Sequence, residues 1–158
     1  MDYHQAQNSA QKYLEDLLSF FGINVSVRVE EGIDSEENGV ISLSVPSTHL
    51  NGFLIGLNGE TLRAVQHLVN SFISNKSEGV FKINVDIAGY KKQRSEKVEQ
   101  MVKQRVDEFK LNNKPIHLEP MNAYERRVAH QVISDAGLAS ESEGFGRDRH
   151  IVISAPEA

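Results

Sequence analysis

The sequence predicts an α+β fold, because helix-like and strand-like hydrophobic periods alternate along its 158 residues and Gly, Pro or Asn punctuates the runs. No internal repeat, low-complexity tract or long unstructured tail interrupts that alternation. A composition of 39% hydrophobic and 25% charged residues supports a packed core and argues against a disordered or membrane-spanning chain. Length alone admits one large domain or two small ones, since a single core commonly serves roughly 100–150 residues.

Residues 3–21 place Ala6, Ala10, Tyr13, Leu14, Leu17, Leu18 and Phe21 on one helical face, and Gly22 stops the helix. Ile23, Val25, Val27 and Val29 then alternate with polar residues as in a half-buried strand, until an acidic loop from Glu30 to Asn38 intervenes. Residues 40–45 form the returning strand and Pro46 ends it. Ser47 is a candidate cap for a short helical turn leading into Leu54-Ile55-Gly56-Leu57-Asn58-Gly59. Leu62, Val65, Val69, Phe72 and Ile73 mark a longer helix, and Phe81, Ile83, Val85 and Ile87 a further strand.

A helix starting near Tyr90 carries the stripe Val98, Val102, Val106 and Phe109, and Asn112-Asn113-Lys114-Pro115 breaks it. Ile116 and Leu118 suit a short strand. Asn122, three residues before Glu125, reads as a capping box for a helix that runs to about Ala136 and is closed by Gly137. Two final strands, near 138–142 and 149–154, flank the loop Glu143 to Asp148.

The absence of cysteine excludes disulfides, thiolate metal sites and Cys nucleophiles. The amino terminus, MDYHQAQNS, lacks the basic-then-apolar layout of a signal peptide, so a cytoplasmic protein without membrane insertion is expected. The net charge of −5 is unevenly spread: residues 1–88 hold 5 Lys and Arg against 11 Asp and Glu, residues 89–158 hold 12 against 11. Residues 90–114 alone carry 8 basic against 4 acidic side chains, which suits a solvated helix face as well as a phosphate track. No nucleophile with a base, paired carboxylates or metal cluster has a recognisable spacing, so an enzyme is not expected. His4, His49, His67, His117 and His150 show no metal-ligand spacing and read as surface or packing residues, and no cofactor is implied. Trp is absent and aromatics are few; Phe145, between glycines, is the one exposed stacking candidate.

Two constellations remain. Gly56 and Gly59 follow apolar Leu54-Ile55 and open into an amphipathic helix, so backbone N–H groups and the helix dipole can face a phosphate there. Arg126 and His130 lie four apart on one helix face, an outward polar pair opposite a side formed by Tyr124, Val128 and Val132.

The order helix, two strands, Ile-Gly-x-x-Gly loop between helices and third strand resembles a KH domain over residues 1–88, in which that loop clamps a short single strand. The resemblance assigns the clamp to Ile55, Gly56, Leu57, Asn58 and Gly59, with Arg63 the nearby cation; the variable positions, basic in many such loops, are neutral here. Leu118-Glu119-Pro120-Met121, Glu125-Arg126-Arg127-Val128-Ala129-His130, Ser142-Glu143-Gly144 and Arg149-His150-Ile151-Val152-Ile153 are similar to the R-three-H (Arg-x-x-x-His) domain of the bacterial Jag family, also called KhpB or SpoIIIJ-associated proteins. In that family a KH domain leads into the R-three-H domain, here residues 89–158 with a connecting helix. Asp86, Tyr90 and Lys91 stand where an Asp…Tyr-Arg pattern is usual. Longer members begin with an additional small domain for which no counterpart is expected here.

The family resemblance therefore implies two small domains, a three-stranded sheet with helices and then a small sheet packed on helices. It implies a regulatory protein that binds single-stranded RNA, with single-stranded DNA the alternative, through Arg126 and His130, with Arg127 and Arg149 on phosphate. It also implies links to cell elongation or envelope growth and a small companion KH protein as partner. A protein-interaction adaptor is the second reading, with the acidic, neutral-looped first half docking a partner instead of RNA.

Overall fold

A computed structural model describes residues 1–30 and 39–157; the acidic loop expected from Glu30 to Asn38 lies, beyond Glu30, outside the described residues. The fold is α+β, and the chain divides into two compact units, Met1–Lys91 and Lys92–Ala158.

The first unit runs α1 (Tyr3–Phe20), β1 (Arg28–Glu30), β2 (Val40–Val45), α2 (Asn51–Ile55), a 3-10 turn (Leu57–Gly59), α3 (Glu60–Ser77) and β3 (Lys82–Ile87). Asp2 begins α1 with a capping box, its carboxylate accepting from the Gln5 N–H while the Gln5 side chain accepts from the Asp2 N–H. The sheet order is β1-β2-β3, with β1 antiparallel and β3 parallel to β2. Ile41, Leu43 and Val45 of β2 and Ile83, Val85 and Ile87 of β3 turn the same face to Leu14 and Leu18 of α1 and Leu62, Val69 and Ile73 of α3. The outer edge of β3 is covered by amides of α3. Asn70 both donates to the Ile83 carbonyl and accepts its N–H, each at 2.7 Å, and Gln66 accepts from the Val85 N–H. An edge so occupied cannot recruit another strand.

Three local expectations are corrected. The strand expected from Ile23 is confined to Arg28–Glu30, although Ile23 and Val27 are buried as the alternation requires. At Val27 the N–H donates to the Glu15 carboxylate and the carbonyl accepts from Gln11, both at 2.9 Å, so α1 side chains take the bonds that a strand partner would have made. Ser47 does not cap α2. Its hydroxyl accepts from the Asn51 side chain, and Asn51 in turn accepts from the Thr48 N–H, which folds the approach to α2 into a turn. Phe21 leaves the buried face of α1 and meets Phe53 of α2 edge-on, 5.5 Å between ring centres.

The helix α4 (Tyr90–Asn112) starts at the end of the first unit, and its buried stripe is the expected Val98, Val102, Val106 and Phe109. β4 (Ile116–His117), α5 (Ala123–Asp135), β5 (Ala139–Glu143), a 3-10 turn (Gly146–Asp148) and β6 (His150–Ser154) complete the second unit. Its antiparallel sheet has the order β4-β6-β5. Ile151 and Ile153 of β6, fully buried, join Leu118, Met121, Ala129 and Ile133 and the α4 stripe in one core.

The start of α5 is fixed twice over. Asn122 accepts from the Glu125 N–H at 2.9 Å while the Glu125 carboxylate accepts from the Asn122 N–H at 3.2 Å, the capping box legible in the sequence. The same carboxylate, 2% exposed, also meets the Arg94 guanidinium of α4 at 2.7 Å. Arg94→Met strands that carboxylate in the core, and removing one partner of a buried pair typically costs roughly 3–5 kcal/mol. Denaturant unfolding should show a loss at the low end of that range, because Arg94 is about a third exposed. Glu125→Gln, which keeps one acceptor oxygen but turns an amide NH2 toward the second donor, should lose about 1–3 kcal/mol. Equal and negligible losses would show that the pair constrains nothing.

Candidate nucleic-acid interface

In the first unit, both glycines of the Gly-x-x-Gly loop take left-handed backbone, and at Gly56 there is no room for a side chain. Gly56 has φ +71°, and a Cβ there would stand 2.9 Å from the Thr61 Cβ and N, with the Thr61 hydroxyl closer still. Neither glycine N–H is turned outward to a ligand: that of Gly56 donates to the Gly52 carbonyl at 3.0 Å, and that of Gly59 to the Gly56 carbonyl at 3.3 Å. Leu57 and Asn58 sit exposed at the tip, Ile55 is half-buried beneath it, and the exposed Arg63 reaches back to the Asn58 carbonyl at 3.5 Å. The five loop residues and the cation expected beside them are therefore together.

Apolar side chains are exposed at the loop: Leu57, one of the expected clamp residues, is 76% exposed, and Phe53, which the sequence did not single out, 56%. Phe145 is thus not the sole exposed aromatic. Phe21 read as a core position because it falls on the apolar face of the first helix's period, and only the tertiary packing turns it outward.

The linking residues are internal. The Lys91 ammonium donates to Gln66 at 2.7 Å and Asn84 at 2.5 Å, and its backbone N–H to the Asp86 carboxylate at 3.1 Å. Burial pulls the Lys91 ammonium below its ordinary pKa, and the Asp86 carboxylate partly restores it. Of the eight basic residues in 90–114, Lys91, Arg94, Lys103 and Arg105 are held by amides or carboxylates of the protein. Half of the candidate phosphate track is thereby engaged internally, which favours the solvated-face reading of this helix.

In the second unit, α5 does not present its polar pair outward. Its buried line is Glu125, Ala129 and Ile133, whereas Tyr124 is 56% exposed and Val128 and Val132 are half-buried. The expected buried side is thus rotated by about one residue, because the buried Glu125 carboxylate claims the interior position that an apolar residue was expected to hold. Arg126 and His130 consequently lie half-buried along the sheet. Arg126 Nη1 donates to the Met121 carbonyl at 2.6 Å, the Met121 N–H donates to the Arg149 carbonyl at 3.2 Å, and Arg149 Nη1 donates to the Gly144 carbonyl at 3.0 Å. Each guanidinium commits one of its five N–H donors in this way.

His130 lies against β5. Its Nδ1 is 2.6 Å from the Ser140 hydroxyl and its Nε2 3.2 Å from that of Ser142. A neutral ring satisfies both contacts, one nitrogen donating and the other accepting, since each hydroxyl can do either. Burial, and then the Arg126 charge, hold the imidazole below its ordinary pKa. The serines reach it because β5 pairs Ser140 with Ile153 and Ser142 with Ile151, which places them on the core side of the sheet, while Glu141 and Glu143 take the other side. Ser-Glu-Ser-Glu reads as a polar strand, and only its register with β6 shows that the serines face α5.

Arg127 is exposed beside this network. Arg149 closes the base of the loop that carries Phe145, which is 91% exposed. Gly144 has φ +86° and would place a Cβ 2.9 Å from the Asp148 carbonyl, so the loop admits only glycine there. Hydrogen bonds thus join Arg126 to Arg149 through Met121, His130 is held separately by Ser140 and Ser142 within the electrostatic reach of Arg126, and Arg127 and Phe145 are exposed.

Residues 95–155 match the R-three-H domain. The chain is 29% identical to the RNA-binding protein KhpB of Clostridium symbiosum over 149 residues, which is 94% of this chain and 65% of that protein. It is 33% identical to that of Bacillus subtilis (strain 168) over 114 residues, 67% of this chain and 54% of that protein. Against that of Streptococcus pneumoniae (strain D39) the identity is 23%, with 96% of this chain and 45% of that protein covered. The chain spans about half to two thirds of the length of these relatives.

A depressed His130 pKa predicts an acid-sensitive fold. The unfolded imidazole takes up its proton near pH 6.5 and the folded one only below that. The stabilisation is complete above about pH 6.5 and fades as pH falls toward the folded value. Thermal midpoints recorded from pH 7.5 to 5.5 should drop more steeply for the wild type than for His130→Gln; parallel profiles would remove His130 as a cause.

Proposed function

As a member of the KhpB (Jag) family, this chain is one for which we propose binding of single-stranded RNA as the function, carried out without catalysis. The observation that carries the reading is that the anchored Arg126 and Arg149, His130 within the electrostatic reach of Arg126, and the exposed Arg127 and Phe145 all lie within the R-three-H match. The relatives are named as RNA-binding proteins, which supports the choice of ligand.

Guanidinium groups grip phosphate through paired hydrogen bonds or stack on bases, and an exposed phenyl ring stacks on any unpaired base. Arg127 has the exposure of a phosphate contact, Phe145 that of a stacking contact, and the anchored Arg126 and Arg149 offer donors on side chains already fixed in place. The element order and the loop support a KH-type first unit in which Leu57, Asn58 and Arg63 meet the strand at the tip. Its acidic balance leaves most of the electrostatic affinity to the second unit. We take the protein to work in the cytoplasm, with a small companion KH protein as a second partner, both on the family resemblance; no helix among the described residues is long and apolar enough to cross a membrane. One observation favours the adaptor reading, namely the exposed Phe20, Phe53 and Leu57 on an acidic unit.

Fluorescence anisotropy with one labelled single-stranded RNA, across ionic strength, separates the two. Arg127→Ala should reduce the logarithmic salt slope by roughly 0.7, the value for one single-strand phosphate, and leave the fold intact. Arg126→Ala with His130→Ala should weaken binding by about 1–3 kcal/mol, more than Leu57→Asp with Asn58→Asp. The first pair should also lower the melting temperature, given their internal hydrogen bonds. Binding that is indifferent to salt and to all three variants, or tighter to a duplex, would discard the RNA reading in favour of the adaptor.

A further inference from the structure

We propose that His117, His150 and Glu143 form a binding site for a zinc-class divalent metal ion on the face of the second sheet that turns away from α5. The inference is independent of RNA binding and rests on the sheet register. β6 pairs His150 with Glu143 of β5 and Val152 with His117 of β4, and residues 150 and 152 share one face of the strand. Three strands therefore bring two imidazoles and a carboxylate onto one surface, and their potential ligand atoms all lie within 4.8 Å of one another. Residues 117 and 150 are too far apart in sequence for any ligand spacing to reveal them.

The two rings are already disposed for chelation. His117 Nδ1 and His150 Nε2 stand 3.1 Å apart. Two nitrogens at that separation, each about 2.0–2.1 Å from a shared ion, subtend roughly 100° at it, close to tetrahedral. The second observation fixes the chemistry of His150. Its Nδ1 lies 2.9 Å from the Asp148 carbonyl, which can only accept, so the ring proton of His150 sits on Nδ1 and its Nε2 accepts from the Nδ1–H of His117; a metal ion between the rings takes the place of that shared proton, which moves to Nε2 of His117. A backbone carbonyl that orients a histidine through its other nitrogen is the usual outer support of a metal ligand. The exposed Glu143 side chain has the rotamer freedom to complete a two-imidazole, one-carboxylate set, which leaves a fourth position to water.

This donor set selects a borderline metal. Imidazole suits zinc, nickel and copper, whereas magnesium and calcium want oxygen throughout. Glu143 and His150 are also the two ends of the loop that carries Phe145 and Arg149, so an ion would pin that loop at its base. The ion would stabilise the second unit by mass action as well.

Zinc chloride titrated into chelator-treated full-length protein, followed by calorimetry, should show one saturable site. His117→Ala or His150→Ala should each weaken it about tenfold or more, while His67→Ala leaves it unchanged. In the wild type, the ring resonances of His117 and His150 should shift first and together on zinc addition, and equimolar magnesium should not reproduce the shift. Zinc affinity surviving His117→Ala with His150→Ala, several weak sites without saturation, or equal competition by magnesium would each overturn the proposal. Should the variants unfold, the ring resonances of the wild type decide, and rings that do not respond to zinc refute the site.

Discussion

The arrangement of the second unit follows from where the Glu125 carboxylate is placed, since a charge with almost no contact with water persists only if every oxygen is engaged. It satisfies the Asn122 N–H with one oxygen and the Arg94 guanidinium with the other. The first bond sets where α5 begins, and the second ties α5 to α4. Together they also set the rotation of α5 about its axis, because Glu125 must point inward. With Glu125 inward, Ala129 and Ile133 follow it one and two turns later, and Arg126 and His130 are carried along the flank of the sheet instead of into solvent. The motif that suggests RNA contact is therefore positioned by the residue immediately before it.

Once α5 is rotated in this way, the sheet beneath supplies the rest. Alternation along β5 gives its serines to one face and its glutamates to the other, and pairing with β6 gives each face a distinct companion set. On the α5 side, Ser140 and Ser142 engage both nitrogens of the His130 ring, and the backbone of Met121 links Arg126 to Arg149. On the far side, Glu143 and His150 stand with His117. A single three-stranded sheet thus offers an arginine-rich neighbourhood and an imidazole–carboxylate cluster that do not compete for space.

The first unit uses the opposite strategy, with its candidate contact built from backbone and few charges. The Gly56 conformation and its contact with Thr61 fix the loop, while side-chain amides and the Lys91 ammonium complete the edge of β3. Polar groups from helices engage backbone at Val27, Val40, Ile83 and Val85, and so reduce what the sheet must satisfy by itself. With an acidic balance and neutral residues at the loop tip, the unit suits selection of a strand more than its capture.

What the sequence by itself determined are the features whose cause is local. The apolar stripe of α4, the alternation in β2 and β3, the capping box at Asn122 and Glu125 and the Gly-x-x-Gly loop each depend on residues within a turn or two of one another, where period and side-chain reach act directly. The resemblance to the KhpB family was legible for the same reason, since its motifs are short and contiguous. Only the tertiary structure decided matters that depend on distant partners. Gln11 and Glu15 claim Val27 from across the first unit and cut β1 short. Arg94, 31 residues from Glu125, makes an inward carboxylate tolerable and so turns Arg126 and His130 toward the sheet. His117 meets His150 across 33 residues because β4 and β6 are neighbours. In each case an interior polar group or a strand register chose among faces that local periodicity leaves equivalent, and that choice is not written in any single stretch of chain.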